Sequence, residues 1–159
     1  LTPEARLEEG RALLATKKDA EAEAIFQQLA KEYAGNRELM AVLDSLSAEP
    51  LSGEGKTRAG ELTKKGIMLY DDKQFDAAIE VFAEALNLFP KHIGLNLNLI
   101  QVVLAAAKDS GQLTHYEPYY QRCLEHVKQI TRKHPQYERC EYLRKQLEKR
   151  VCEQRPADT

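Results

Sequence analysis

The chain has 159 residues, enough for one domain with a sizeable core. Its 43% hydrophobic and 30% charged residues match an ordinary soluble globular protein, and a formal net charge of -2 gives no global case for nucleic acid or an acidic lipid surface. No apolar run approaches the roughly 18 residues of a membrane span and no signal peptide is evident, so no membrane association and a cytoplasmic location are expected.

The chain opens on Leu1 rather than Met, so it is expected to be a piece of a longer protein. Cys123, Cys140 and Cys152 are odd in number and widely spaced, which fits free thiols better than a disulfide framework. From Arg122 to Arg155 ten Lys and Arg face five Asp and Glu. A mixed-sign helical run of this kind reads first as a solvated face.

Helical periodicity runs through the chain. Residues 3–15 hold Ala5, Leu7, Leu13 and Leu14 among charges, and 16–19 make a break. In 20–34, Ala22, Ile25, Phe26, Leu29 and Tyr33 recur at spacings of three and four, one face of an amphipathic helix. Gly35-Asn36 is expected to end it as a left-handed cap, and Leu39, Met40, Leu43 and Leu46 indicate a short third helix. Residues 1–48 thus form an N-terminal hairpin plus a short helix. Residues 49–58, EPLSGEGKTR, read as a linker. Within it SGEGKT resembles the tail of a phosphate loop, but Pro50 occupies the place of the first required glycine and no strand precedes it. Further helices are predicted over 58–71, 75–88, 92–108, 116–133 and 135–153, with Pro90 and Pro135 at joints. Residues 59–153 form helical hairpins with a capping helix, and 154–159 a disordered tail.

The segment GLNLNLIQ, from Gly94, alternates like a half-buried strand, yet it continues into Val102, Val103, Leu104 and three alanines. Leu95, Leu99 and Val103 recur every four residues, which predicts a helix packed on more than one face. Asn96 is expected to be buried and bonded to backbone at the helix joint.

A self-similar spacing links the hairpins. Gly10 is followed after 12 residues by Ala22 and after 4 more by Phe26; Gly66 is followed after 12 by Ala78, after 4 by Phe82 and after 8 by Pro90. Cys123, Val127 and Pro135 keep the 4 and the 8. Small residues let two helices approach closely, and the aromatic is expected to fill the wedge between one pair and the next. The segment LTKKGIMLYDDKQFDAAIEVFAEALNLFP, with Leu62, Gly66, Leu69, Ala78, Phe82, Ala85 and Pro90 in register, resembles the tetratricopeptide repeat, a helix-turn-helix unit of 34 residues. Lys65 departs from its pattern, the first hairpin lacks a closing Pro, and the third pair has Ile100 for the Gly and 11 extra residues. The resemblance implies an all-α fold of antiparallel hairpins stacked as a short right-handed superhelix. The longer string over 62–101 is also similar to the repeat segment that follows a receiver domain in some bacterial response regulators.

Candidate chemistry is thin. Cys123 and His126 lie on one helical face, but no second short ligand pair exists, and core packing is favoured over zinc. No Ser or Cys has a His and an acid at a recognisable spacing, so no enzyme, cofactor or metal is expected. Repeat proteins present a concave groove to a partner protein or peptide. The groove side is assigned to Lys64, Ile67, Tyr70, Leu97, Asn98, Gln101 and Leu104. Of the family's carboxylate-binding clamp only Asn98 matches; Thr63, Ile67 and Gly94 do not, so the clamp is not carried over. Tyr142, Leu143 and Leu147 of the last helix are candidates to cover Leu97 and Leu104. The expected function is a protein-protein interaction module, with a response-regulator output or homodimerisation domain as one alternative and nucleic-acid binding through 122–155 as a disfavoured one.

Overall fold

The computed structural model describes residues 2–154, all helix and connection with no strand among them. Helix α1 spans Pro3–Ala15, α2 Asp19–Glu32, α3 Arg37–Leu46, α4 Gly53–Asp71, α5 Phe75–Leu88, α6 Ile93–Ser110, α7 Glu117–Val127 and α8 Tyr137–Gln154; a 3-10 turn, Leu113–Tyr116, leads into α7. Neighbours in sequence pack as pairs, α1 on α2, α4 on α5, α5 on α6 and α6 on α7, with α8 returning onto α6. Leu1 and the expected tail at 155–159 lie outside the described residues.

The two glycine-led hairpins share their geometry residue for residue, 56 positions apart. Gly10 and Gly66 are buried, and a Cβ on either would overlap the ring of Phe26 or Phe82 respectively. Each ring therefore lies against the glycine of its own pair, and Phe82 also borders a depression with Asn98 and Val102 of α6, the first helix of the next pair. Ala22 and Ala78 are both fully buried. The turns match too: Lys17 and Lys73 take φ 62° and 61°, and the amides that follow, Lys18 and Gln74, donate to the carbonyls of Leu13 and Leu69. Asn36 and His92, also 56 apart, cap the next helix in each case, accepting from the amides of Leu39 and Leu95.

Two apolar cores result. Ala22, Phe26, Leu29, Met40 and Leu43 close the first, under α1, α2 and α3. The second draws on α4 to α8 and centres on α6, where Leu95, Leu97, Leu99, Ile100, Val102 and Val103 are all buried. Leu62 and Ala85 belong to it, with Leu69 half-buried at its edge. The segment with strand-like alternation is thus a helix enclosed by α5, α7 and α8.

Several boundaries differ from expectation. The linker is shorter than 49–58, because α4 already begins at Gly53. Ser52 caps it, its hydroxyl accepting from the Gly55 amide at 2.9 Å, while Asp44 takes the amides of Leu51 and Ser52 and the Ser52 hydroxyl. A side chain on Gly55 would strike the Asp44 carboxylate. Gly35 is not left-handed; Tyr33 ends α2, and Asn36 opens α3 instead. Helix α7 stops at Val127, not 133, and turns carry the chain to α8. Gln154, assigned to the tail, is the last residue of α8: its side chain accepts from the Leu113 amide and donates to the Gly111 carbonyl. Gly111 is itself left-handed, φ 78°, and closes α6 with its amide on the Ala107 carbonyl.

Candidate functional site

Three adjoining depressions line the face formed by α4, α6 and α8. The first is bordered by Thr63, Lys64, Ile67 and Met68 of α4, with Pro50 and His92. The second shares Ile67 and adds Tyr70, Asn98, Gln101 and Arg139. The third shares Tyr70, Gln101 and Arg139 and continues to Leu104, Lys108 and Tyr142. The middle one holds about 270 Å³, room for side chains rather than for a whole small ligand. A larger depression, about 730 Å³, lies between α3 and the start of α4, where the Asp44 carboxylate is already engaged by backbone.

Helix periodicity explains this lining. Lys64, Ile67 and Tyr70–Asp71 rise along α4 at spacings of three and four, so they share one stripe, opposite Leu62 and Gly66 in the core. Asn98, Gln101 and Leu104–Ala105 do the same on α6. Of the assigned groove residues, Lys64, Ile67, Tyr70, Asn98, Gln101 and Leu104 line these depressions. Leu97 does not. It is 0% exposed, because α6 is flanked by helices on several sides and its Leu97 side falls within the core.

Helix α8 both caps and completes the face. Leu143 and Leu147 are buried in the second core, as a capping helix requires, but Tyr142 is 63% exposed and covers little. Arg139 is a groove residue that sequence reasoning missed, whereas Tyr142, a candidate cover for Leu97 and Leu104, lines the depression beside Leu104. The only signal for Arg139 was the basic run that begins at Arg122, which read as solvent-facing. The Arg139 Nη2 donates to Asn98 Oδ1 at 2.8 Å and Gln101 Oε1 at 2.9 Å, so two amide side chains of α6 hold the guanidinium of α8. Burial lowers its pKa below the ordinary arginine value, the Cys140 thiol acting weakly the other way. Exposed apolar groups accompany it: Ile67 is 46% and Met68 59% exposed.

Asn96 sits beneath this face, fully buried, donating to the carbonyls of Pro90 at 3.2 Å and His92 at 2.8 Å. It therefore holds the half-buried Pro90 turn, as expected. His92 Nδ1 caps α6, and burial lowers the pKa of its ring, with Glu49 opposing. Cys123 packs in the core and burial pushes its thiol up to about 12, while Cys140 is also buried and raised. Thiols held protonated are poor nucleophiles and metal ligands. Among the described residues no group of three His, Cys, Asp or Glu is placed to hold a metal ion, and no helix is long and apolar enough to cross a membrane. Comparison with protein-family models, curated proteins and solved structures finds no match for this chain.

Proposed function

We propose that the chain is a non-catalytic interaction module that binds a partner protein or peptide along the α4–α6–α8 face. The observation that carries this reading is the line of adjoining depressions in which exposed Ile67, Met68 and Tyr142 alternate with amide and cationic side chains. Apolar anchors spaced along a helical surface, with hydrogen-bonding groups between them, suit an extended or helical peptide. The tetratricopeptide-like reading draws support from the matched Gly10–Phe26 and Gly66–Phe82 hairpins. The similarity of 62–101 to response-regulator segments supports a place in bacterial signalling, with self-association as an alternative output. The basic run favours a structural role over nucleic acid: Arg122 donates to the Leu86 carbonyl and Asn87, and Arg144 pairs with Glu141 and Glu148.

The test is selection of random phage-displayed peptides on the purified chain and on Ile67→Asp. Wild type should enrich a peptide family that Ile67→Asp retains at least about tenfold less well, with an unchanged melting curve. No enriched family, or equal retention by the variant, defeats the reading.

A further inference from the structure

Two partly buried arginines of α8 live in opposite electrostatic circumstances. Arg144 is held by carboxylates, Glu141 at 2.6 Å and Glu148 at 3.2 Å. Arg139 has no carboxylate within ion-pair distance among the described residues, and only the neutral oxygens of Asn98 and Gln101 meet it. Those two bonds both use Nη2. They orient the guanidinium and leave Nη1 and Nε, donors on two different edges of its plane, without a hydrogen-bond partner among the described residues. A guanidinium drawn out of water without a countercharge is costly, and an anion that supplies the charge recovers that cost. The surroundings favour one class of anion. Beyond Arg139 the face continues to Lys108 and Arg150, and no acid lines that depression. On the other side Asp71 lines the same depression as Arg139, and its charge opposes a dianion more than a monoanion. A carboxylate oxygen can accept a charge-assisted bond from either remaining donor.

We propose that Arg139, set in place by Asn98 and Gln101, binds a side-chain carboxylate of an acidic peptide segment, with an apolar neighbour of that residue resting on Ile67 and Tyr70. The proposal rests on the α4–α6–α8 face being the binding surface and names what that surface selects. Asn98 and Gln101 are positioning residues: they touch the arginine and fix its plane.

The experiment repeats the peptide selection on wild type, Arg139→Gln, Arg139→Lys and Asn98→Asp, with a thermal melt of each. Wild type should enrich peptides with Asp or Glu at one fixed position, and changing that acid to its amide should weaken binding at least about tenfold. On Arg139→Gln the acid and amide forms should bind alike. Arg139→Lys should restore only part of the preference, since an ammonium bonded to both amides keeps a single donor for the acid. Asn98→Asp should raise the melting temperature and abolish the acid preference, because the chain then supplies its own countercharge; this variant keeps the test decisive if Arg139→Gln loosens α8. An acid preference of the same size on wild type and Arg139→Gln overturns the proposal. So does tighter binding of a phosphoserine peptide than of its acidic counterpart. Enriched peptides without a fixed acid overturn the proposal alone, whereas no enrichment on wild type defeats the binding face as well.

Discussion

The hairpins α1–α2 and α4–α5 are built alike and placed differently. Each has a buried glycine under a phenylalanine ring, a left-handed lysine in its turn and a polar cap 26 residues after the glycine, Asn36 in one case and His92 in the other. The first hairpin packs against the ten-residue α3 and closes a small core. The second meets α6, which α7 and α8 then enclose, and its outer helix α4 becomes one wall of a groove. The same local unit thus yields a small end structure or a binding wall, depending on what is stacked beside it.

The largest test of this contrast removes the rings. Phe82→Ala should cost about 3–5 kcal/mol, since a fully enclosed aromatic leaves a cavity that the five-helix core cannot collapse around. Phe26→Ala should cost less, because the three helices around it can relax. Urea unfolding followed by circular dichroism and by hydrogen exchange should show α1–α3 opening separately in Phe26→Ala and a global loss in Phe82→Ala. One shared transition for both variants would mean that the two cores unfold as a unit.

The groove wall offers a second test. Asn96→Ala removes both bonds that hold the Pro90 turn and should cost about 1–2 kcal/mol, read from the urea midpoint, with little effect on peptide affinity. Asn98→Ala should do the reverse, lowering peptide affinity with a smaller change in the midpoint. An exchange of these effects would invert the assignment of faces on α6.

The caps differ in how they respond to pH. Burial lowers the His92 pKa below its unfolded value, so the folded state holds the ring neutral and its Nδ1 free to accept from Leu95. This contribution is complete above about pH 6.5 and is lost as the pH falls through that value toward the folded pKa, because the unfolded chain takes up the proton first. His126 is lowered in the same direction, by burial and then by Lys91 and Arg122. His92→Asn, which copies the cap of the first hairpin, should shrink the drop in melting temperature between pH 7.5 and 5.5 without removing the His126 share. An unchanged drop would show that His92 is not protonated differently on folding.

The smallest expected effect is also the most symmetrical. Lys17→Gly and Lys73→Gly relieve the same left-handed backbone strain and should each stabilise by about 0.5 kcal/mol after the entropy cost of glycine is subtracted. Unequal gains would separate the two turns.

Much of this was legible in the sequence. Glycine, alanine and phenylalanine at fixed spacings encode a close helix pair, because each helix side chain covers the turn before it and only a glycine leaves room for the ring. The spacing also placed Asn96 under the joint and Lys64, Ile67, Tyr70, Asn98, Gln101 and Leu104 on one face. Other features were not legible. Gly53 and Gly55 read as linker because their helix is held by Asp44, a carboxylate eight residues before Ser52 and on another helix. Leu97 read as groove because its burial depends on how many helices surround α6.

The sequence by itself therefore determined that the chain is helical, how the two glycine-led hairpins pair and which stripe of α4 and α5 turns inward, since these follow from contacts three, four and a few tens of residues apart. The tertiary structure decided where Arg139 goes. Forty-one residues separate it from Asn98, and no periodicity relates the two; only the return of α8 across α6 brings an arginine, without a carboxylate partner among the described residues, to a pair of amides.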